Sequence, residues 1–126
     1  MDNDLAVFKA CADATRLRIL FLLTERELCV CELVAVLDMS QGKISRHLAI
    51  MKQADLLTDR RDGVWIYYAL VATSFGAIQH VRAYLVQEKN THDQIGRDLN
   101  RLHDLAEQRK ICVPHPSAAP LIQIGG

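Results

Sequence analysis

Two cysteines separated by a single residue form the pattern with the most distinctive chemistry in the chain. Cys29 and Cys31 lie within residues 27–33, where we expect a third helix to begin. Paired thiolates prefer soft or borderline ions such as As(III), Sb(III), Cd(II) and Pb(II) over hard cations. A helix N-terminus also lowers the pKa of a thiol and so increases its thiolate fraction. The spacing therefore predicts a site for a thiophilic ion.

The spacing also predicts strain at this site. A regular helix places residues i and i+2 about 200° apart around its axis, so both sulfur atoms cannot reach one ion without distortion. We therefore expect ion binding at Cys29 and Cys31 to strain the first turn of the helix and to tilt the helices that follow. The alternative is that both are small core residues, because free cysteine is often buried.

Two further cysteines are candidates for a third ligand. Cys11 falls in an apolar helix and is more typical of a core residue, whereas Cys112 lies near the C-terminus in a segment that we expect to be a tail. Four cysteines could form two disulfides, but a cytosolic chain with its own core keeps its thiols reduced. We therefore expect free thiols.

A local basic cluster is the candidate for DNA contact. The chain has a net charge of zero, so any affinity for nucleic acid must come from clustering rather than from overall charge. Basic side chains gather between residues 43 and 61, although Asp55 and Asp59 interrupt them. The cluster comprises Lys43, Arg46, His47, Lys52, Arg60 and Arg61. Such a run is also typical of an ordinary solvated surface.

The apolar spacing predicts a helix-turn-helix that would position this cluster. Two helices precede residue 25, and Asp13 is a good N-cap for the second. A third apolar stretch covers residues 33–37, and Ser40 is placed to cap a fourth helix. In that helix Ile44 and Leu48 share the packing side, whereas Arg46 lies on the opposite, free side. This arrangement suits a helix that reads a DNA groove.

The second half of the chain predicts a β-hairpin wing followed by helix. Asp62-Gly63 is a strong two-residue turn signal between two strand-like runs. The next segment carries a three-four apolar repeat that predicts a helical dimer seam. The repeat consists of Ile78, Val81, Leu85, Ile95, Leu99 and Leu102. A capping-box pattern at Thr91 leaves open whether residues 73–108 form one helix or two.

Four segments of the chain resemble the ArsR/SmtB family of metalloregulators. They are residues 13–20, 27–33, 40–48 and 62–68, within a match that covers about residues 5–86. The resemblance implies a mainly α fold with a β-hairpin wing, known as a winged helix-turn-helix. It also implies a homodimer that binds operator DNA and represses transcription until an inducer binds. Two positions depart from the family: Ala14 replaces a frequent Pro, and Val34 stands where arsenic repressors have a third cysteine.

The resemblance also implies the site residues. The inducer ligands are Cys29 and Cys31, with Cys112 or Cys11 as a candidate third. The DNA-binding residues are Ser40, Gln41, Lys43, Ser45, Arg46, His47, Arg60 and Arg61. Val34 also fits the branch that responds to Cd(II), Pb(II) or Zn(II). Those relatives use cysteines from an arm before the first helix, however, and no cysteine precedes Cys11 here. We therefore expect As(III) or Sb(III) as inducer.

Other classes of protein fit the sequence poorly. We find no glycine-rich phosphate loop, and Cys-x-Cys differs from the Cys-x-x-Cys of thiol oxidoreductases, so we expect no enzyme. A thiol-redox or protein-interaction module remains an alternative. The densest apolar run, residues 19–23, is far shorter than the roughly 18 residues of a membrane span. We expect a cytoplasmic protein with one domain over residues 1–108 and a flexible tail over residues 109–126.

Overall fold

Side-chain caps start the two helices that frame the first half of the fold. The computed structural model describes residues 1–73 and 75–108. Asp13 Oδ1 accepts a hydrogen bond from the Arg16 backbone N–H at 3.0 Å, and Ser40 Oγ accepts one from the Lys43 N–H at 3.2 Å. Both caps were predicted and both are confirmed.

Helices and strands follow the predicted order, with one additional strand. The helices are α1 (Asp2–Cys11), α2 (Ala14–Leu23), α3 (Val30–Leu37), α4 (Gln41–Gln53), α5 (Gly76–Glu88) and α6 (Asp93–Gln108). The strands are β1 (Leu28–Cys29), β2 (Leu57–Asp62) and β3 (Trp65–Leu70). None of these helices combines the length and apolar character needed to cross a bilayer. The proposed tail, residues 109–126, lies outside the described residues.

Helices α3 and α4 form the helix-turn-helix. Helix α3 ends at Asp38, whose φ of 55° turns the chain into the short link before Ser40. On α4, Ile44, Leu48 and Met51 have no exposed surface. The side of α4 predicted to pack is therefore buried, and its opposite side faces outward.

The wing is an antiparallel hairpin whose turn lies one residue later than predicted. Asp62 pairs with Trp65, so the two loop residues are Gly63 and Val64. Gly63 has a φ of 64°, a conformation that glycine adopts without a steric cost. The unpredicted strand β1 pairs with β3 and gives the sheet the order β1-β3-β2. The sheet therefore attaches the wing to the start of α3.

The C-terminal segment forms two helices, and its apolar repeat packs inside the chain. The Thr91 hydroxyl donates to the Glu88 carbonyl at 2.9 Å, between α5 and α6. All six residues of the repeat are buried within one chain, from Leu85 at 0% to Val81 and Leu99 at 7% exposed. Helix α6 packs on α2 and α3, and α5 packs on α1 and α2. The repeat is thus a core stripe, and its assignment to a dimer seam was wrong.

Candidate thiol site and nucleic-acid interface

Cys29 and Cys31 lie on either side of the point where α3 begins. Cys29 ends β1 and is the N-cap of α3, with an extended backbone at φ −90° and ψ 168°. Cys31 is the second residue of the helix. The 200° separation expected for two helical residues therefore does not apply to this pair. The strain predicted for the first turn rested on that separation, and this geometric reason does not hold because Cys29 precedes the helix.

Both cysteines line one pocket of about 360 Å³. Its walls come from α3, from the first residue of α4 and from the wing. The other lining residues are Val30, Val34, Gln41, Val64, Trp65 and Ile66. An ion held by the two sulfur atoms would thus be in contact range of the helix-turn-helix and of the wing at the same time.

Aromatic residues of β3 support the thiol pair. Cys29 is opposite Tyr67 in the β1–β3 ladder, and the two are 4% and 3% exposed. Cys31 and Trp65 pack against this buried pair. The two cysteines therefore pack next to the central strand of the sheet.

The buried position of Cys29 opposes its ionisation. Burial and, after it, the negative charge of Glu32 raise the pKa of the Cys29 thiol to about 12. The helix N-terminus was expected to lower this pKa, and that expectation was wrong. Burial of the thiolate away from water costs more free energy than its attraction to the partial positive charge of the helix N-terminus provides. Cys29 is therefore a neutral thiol at physiological pH.

Glu32 holds the backbone of Cys29 in place. Its Oε1 accepts a hydrogen bond from the Cys29 N–H at 2.9 Å, and its Oε2 accepts one from Arg26 Nη1 at 3.0 Å. The Arg26 and Glu32 side chains are 7% and 9% exposed. Sequence reasoning missed both residues. The sequence signal for them is a capping box, in which a glutamate lies three residues after the N-cap residue. The pattern was hard to recognise because the N-cap is cysteine rather than serine or threonine.

Cys11 is not brought to this pocket. Cys11 has a free, half-buried thiol and lines a separate pocket between α1 and α5. Cys29 is free, whereas Cys31 is disulfide-bonded, contrary to the expectation of four reduced thiols. Cys112 lies outside the described residues. Across residues 1–73 and 75–108, no three His, Cys, Asp or Glu side chains gather in a way that would hold a metal ion.

The outward side of α4 presents most of the residues predicted to read DNA. The exposed set is Ser40, Gln41, Lys43, Ser45 and Arg46. The Arg46 guanidinium lies back over Gly42, with Nη1 3.6 Å from the position that a Cβ there would occupy. His47 differs, because it is half-buried and its Nδ1 lies 3.2 Å from Arg16 Nη1. Its imidazole is engaged within the protein.

The two wing arginines have different surroundings. Arg60 donates from Nε to Glu27 Oε1 at 2.9 Å, and its guanidinium lies 4.8 Å from the centre of the Tyr67 ring. Arg61 is exposed on the same strand. Arg60 therefore ties the wing to the segment before Cys29, although it is exposed like Arg61.

The helix order, the outward side of α4 and the hairpin define a winged helix-turn-helix DNA-binding protein. Residues 13–59 match the family model described as "Bacterial regulatory protein, arsR family". The chain belongs to the ArsR family and is a transcriptional repressor, not an enzyme. The family resemblance found in the sequence motifs is thereby confirmed.

Named relatives in this family include arsenic regulators. The "Arsenical resistance operon repressor" of Escherichia coli K12 is 39% identical over 115 residues, covering 84% of this chain and 92% of that protein. The "Arsenic resistance transcriptional regulator ArsR1" of Pseudomonas putida KT2440 is 57% identical over 65 residues, covering 51% of each. The solved structure "Reduced HlyU from Vibrio cholerae N16961" has a TM-score of 0.62 at 29% identity, covering 73% of this chain and 90% of that one.

Proposed function

We propose that the protein represses transcription by binding operator DNA as a homodimer, and that it leaves the DNA when As(III) or Sb(III) binds Cys29 and Cys31. The observation that carries this proposal is the single pocket that both cysteines line, between α3, the start of α4 and the wing. The arsenic-related names of the two relatives support the choice of inducer. The site of action is the cytoplasm, where such DNA is found.

The chemistry of arsenous acid suits a protonated thiol. Each S–H group condenses with one As–OH group, forming an As–S bond, breaking an As–O bond and releasing water. Two such steps convert As(OH)₃ into an adduct with two sulfur atoms and one hydroxyl, and arsenic remains trivalent throughout. No proton has to be given up to solvent, so the raised pKa of Cys29 does not oppose the reaction. Cys31 takes part in its reduced form.

Divalent ions are the alternative inducers, and the same surroundings disfavour them. Cd(II), Pb(II) and Zn(II) bind thiolates, so each sulfur ligand must first release its proton. Burial of Cys29 opposes the loss of that proton before an ion is bound. Zn(II) also takes three or four protein ligands in most sites. In the part of the chain that the structure describes, no group of three or more His, Cys, Asp or Glu side chains is arranged to hold a metal ion.

Occupation of the pocket would act on the DNA-binding surface through its walls. Gln41 is the first residue of α4, and Val64 is in the wing turn. An arsenic adduct bound between these two residues favours a distance between α4 and the wing that differs from their distance in the DNA-bound protein. The inducer then weakens DNA binding by its differential affinity for the two states.

A gel-shift titration tests the inducer and the DNA-binding role together. Reduced protein is mixed with DNA from upstream of its own gene, and arsenite, antimonite, cadmium, lead and zinc are added separately. We expect retardation without ions and release at the lowest concentrations of arsenite or antimonite. Release by cadmium or lead first would assign the alternative inducer class. Failure to retard any promoter fragment would favour the protein-interaction or thiol-redox module.

The homodimer would form through α1 and α5 rather than through the buried repeat. Large apolar side chains on these helices remain exposed in the single chain, namely Leu5, Phe8, Tyr84 and Val86. Phe8 and Tyr84 also border an apolar pocket of about 350 Å³ between the two helices. Exposed apolar surface of this kind marks association sites in soluble proteins.

We predict that Phe8→Glu converts a dimer into a monomer at micromolar concentration. Phe8 is 55% exposed, so the charge is tolerated by the single chain but would be desolvated in the interface. Sedimentation velocity measures the change. Val64→Glu is the matched control, because it places the same charge at an exposed apolar residue of the wing. A wild-type protein that sediments as a monomer would contradict the proposal.

We predict that Arg46→Ala weakens operator binding by about 1–3 kcal/mol, or roughly 5- to 150-fold, since a good base contact is worth that much. Arg46 lies on the outward side of α4, and its removal leaves the thiol pocket untouched. Fluorescence anisotropy on labelled operator DNA gives the affinity. Arg97→Ala removes an equal charge from α6 and should change it little. Equal effects of both changes would mean that Arg46 acts through net charge only.

A further inference from the structure

One edge of the His47 imidazole on α4 is held by an arginine of α2. Arg16 Nη1 lies 3.2 Å from His47 Nδ1. A guanidinium has N–H donors and no acceptor, so Nδ1 must accept this hydrogen bond and cannot carry a proton. The proton of the neutral imidazole is then on Nε2. The contact with Arg16 therefore makes His47 Nε2–H a hydrogen-bond donor.

Arg16 is itself held in place by the end of α1 and the start of α2. Its Nε donates to the Ala10 carbonyl at 2.6 Å, and its backbone N–H donates to Asp13 Oδ1 at 3.0 Å. Its Nη1 also lies 3.9 Å from Asp13 Oδ2, and its side chain is only 14% exposed. These contacts fix the guanidinium, so the donor that faces His47 Nδ1 has a defined position.

The opposite edge of the same ring is open to solvent. Within residues 1–73 and 75–108, no group forms a hydrogen bond with His47 Nε2. Every buried side-chain nitrogen or oxygen of the described residues has a hydrogen-bond partner. Because Nε2 has none, it cannot be buried. The donor that Arg16 creates is therefore available to a ligand from outside the chain.

His47 lies at the boundary between the packed and the outward sides of α4. It is half-buried, between the exposed Arg46 and the buried Leu48, and it is about 100° around the helix from each. The major groove is just wide enough for a helix, so the outward side of the helix faces base edges and its flanks face the sugar-phosphate backbones. A donor at this boundary is placed to meet a phosphate oxygen.

The charges around the imidazole also favour its neutral form. Burial is the largest effect, and it lowers the pKa of His47. Asp13 raises this pKa, whereas three positively charged neighbours lower it, namely Arg16, Lys43 and Arg46. The ring is therefore neutral at physiological pH, in agreement with the hydrogen bond that Nδ1 accepts.

We propose that His47 binds a phosphate oxygen of DNA through Nε2–H as an uncharged donor, and that Arg16 is the positioning residue that fixes this tautomer. This rests on the DNA-binding part of the proposed function and does not depend on the inducer. Contacts to phosphate set the position and orientation of a protein on the duplex. An uncharged donor provides such a contact without neutralising the phosphate, unlike the charged side chains of Lys43 and Arg46 on the same helix.

The variant His47→Phe tests the phosphate contact, because it keeps a ring and removes both nitrogen atoms. Anisotropy of labelled DNA with the full-length protein measures its affinity for upstream DNA and for unrelated DNA. We expect both affinities to fall about 10-fold, since a hydrogen bond to a charged group is lost and every sequence carries phosphates. His47→Gln keeps an amide N–H near the position of Nε2, so it should lose less. A loss confined to upstream DNA would indicate a base contact and overturn the assignment.

The salt dependence of binding tests whether the donor is uncharged. Loss of a charged phosphate contact reduces the slope of log affinity against log salt by about 0.9 for each phosphate. We expect His47→Phe to keep the wild-type slope at physiological pH. A slope reduced by this amount would mean that the residue binds as an imidazolium, and the proposed role of Arg16 would be wrong.

A double-mutant cycle tests whether Arg16 acts through His47. Arg16→Met should weaken DNA binding in the wild-type background by a factor similar to that of His47→Phe, and should change it little in the His47→Phe background. Proton–nitrogen NMR of the His47 ring gives a second readout. We expect an unprotonated Nδ1 in the wild type and a mixture of tautomers in Arg16→Met. Equal losses in both backgrounds would overturn the positioning role, because Arg16 would then act independently of the ring.

The inference and the proposed function fail in different ways. If the wild-type protein binds no upstream DNA, the proposed function is wrong. If it binds and His47→Phe binds equally tightly, the repressor stands and the inference is wrong. Circular dichroism checks that each variant is folded. Should Arg16→Met be unfolded, Arg16→Lys replaces it in the cycle with the same expected result, because a lysine keeps the charge but cannot bond both the Ala10 carbonyl and His47 Nδ1 in the geometry of the guanidinium.

Discussion

Cys29→Ser should leave operator affinity near that of the wild type and abolish release at arsenite concentrations that fully release the wild-type protein. Serine is close to cysteine in size, and it is among the preferred N-cap residues, so α3 should keep its start. It provides no soft sulfur, so arsenic loses one of the two ligands that line the pocket. Gel-shift titration with arsenite and antimonite measures the effect, and we expect the same result for Cys31→Ser.

The other two cysteines provide the controls for this loss. Cys11 lines a separate pocket, so Cys11→Ser should respond to arsenite like the wild type. Cys112→Ser tests whether that thiol is a third ligand. The sensing site would be wrong if the double variant Cys29→Ser with Cys31→Ser were still released from DNA at the wild-type arsenite concentration.

Glu32→Ala should lower the free energy of unfolding by about 3–5 kcal/mol, the cost typical of removing one partner of a buried ion pair. The Arg26 guanidinium would remain buried without its carboxylate, and the Cys29 N–H would lose its acceptor. Urea denaturation followed by circular dichroism gives the free energy. The combined change Arg26→Met with Glu32→Leu should recover much of the loss, since no charge is then left unpaired.

An exposed ion pair serves as the matched control for Glu32. Lys52 and Asp59 are 2.8 Å apart, and the lysine side chain is 51% exposed. Asp59→Ala should change stability only marginally, because solvent screens the pair and side-chain entropy opposes it. Equal losses for Glu32→Ala and Asp59→Ala would contradict the importance assigned to burial around Cys29.

Local interactions explain why much of the fold could be predicted. The caps at Asp13 and Ser40 depend on contacts three residues apart, which are visible in the sequence. The position of Ile44 and Leu48 on the packing side of α4 follows from helical periodicity alone. The wing hairpin follows from its turn residues, although the turn was one residue out of place. These features identified a winged helix-turn-helix and the exposure of Arg46.

Other features depend on residues that are distant in the sequence. The three-four repeat predicted an apolar side on the C-terminal helices, but periodicity does not say what covers that side. The structure covers it with α1, α2 and α3 of the same chain. The sequence left open whether Arg60 contacts DNA or is an ordinary solvated charge. In the structure it pairs with Glu27, which lies 33 positions away in the sequence.

The sequence by itself indicated the candidate residues for the proposed chemistry, namely Cys29 and Cys31 for a thiophilic ion and the outward side of α4 for DNA. Only the tertiary structure decided how the two cysteines meet. Pairing of β1 with β3 places Cys29 before the helix and buries it against Tyr67, which brings both cysteines to one pocket and raises the pKa of Cys29. Strand pairing and burial are set by contacts between distant segments, and no local pattern around the cysteines encodes them.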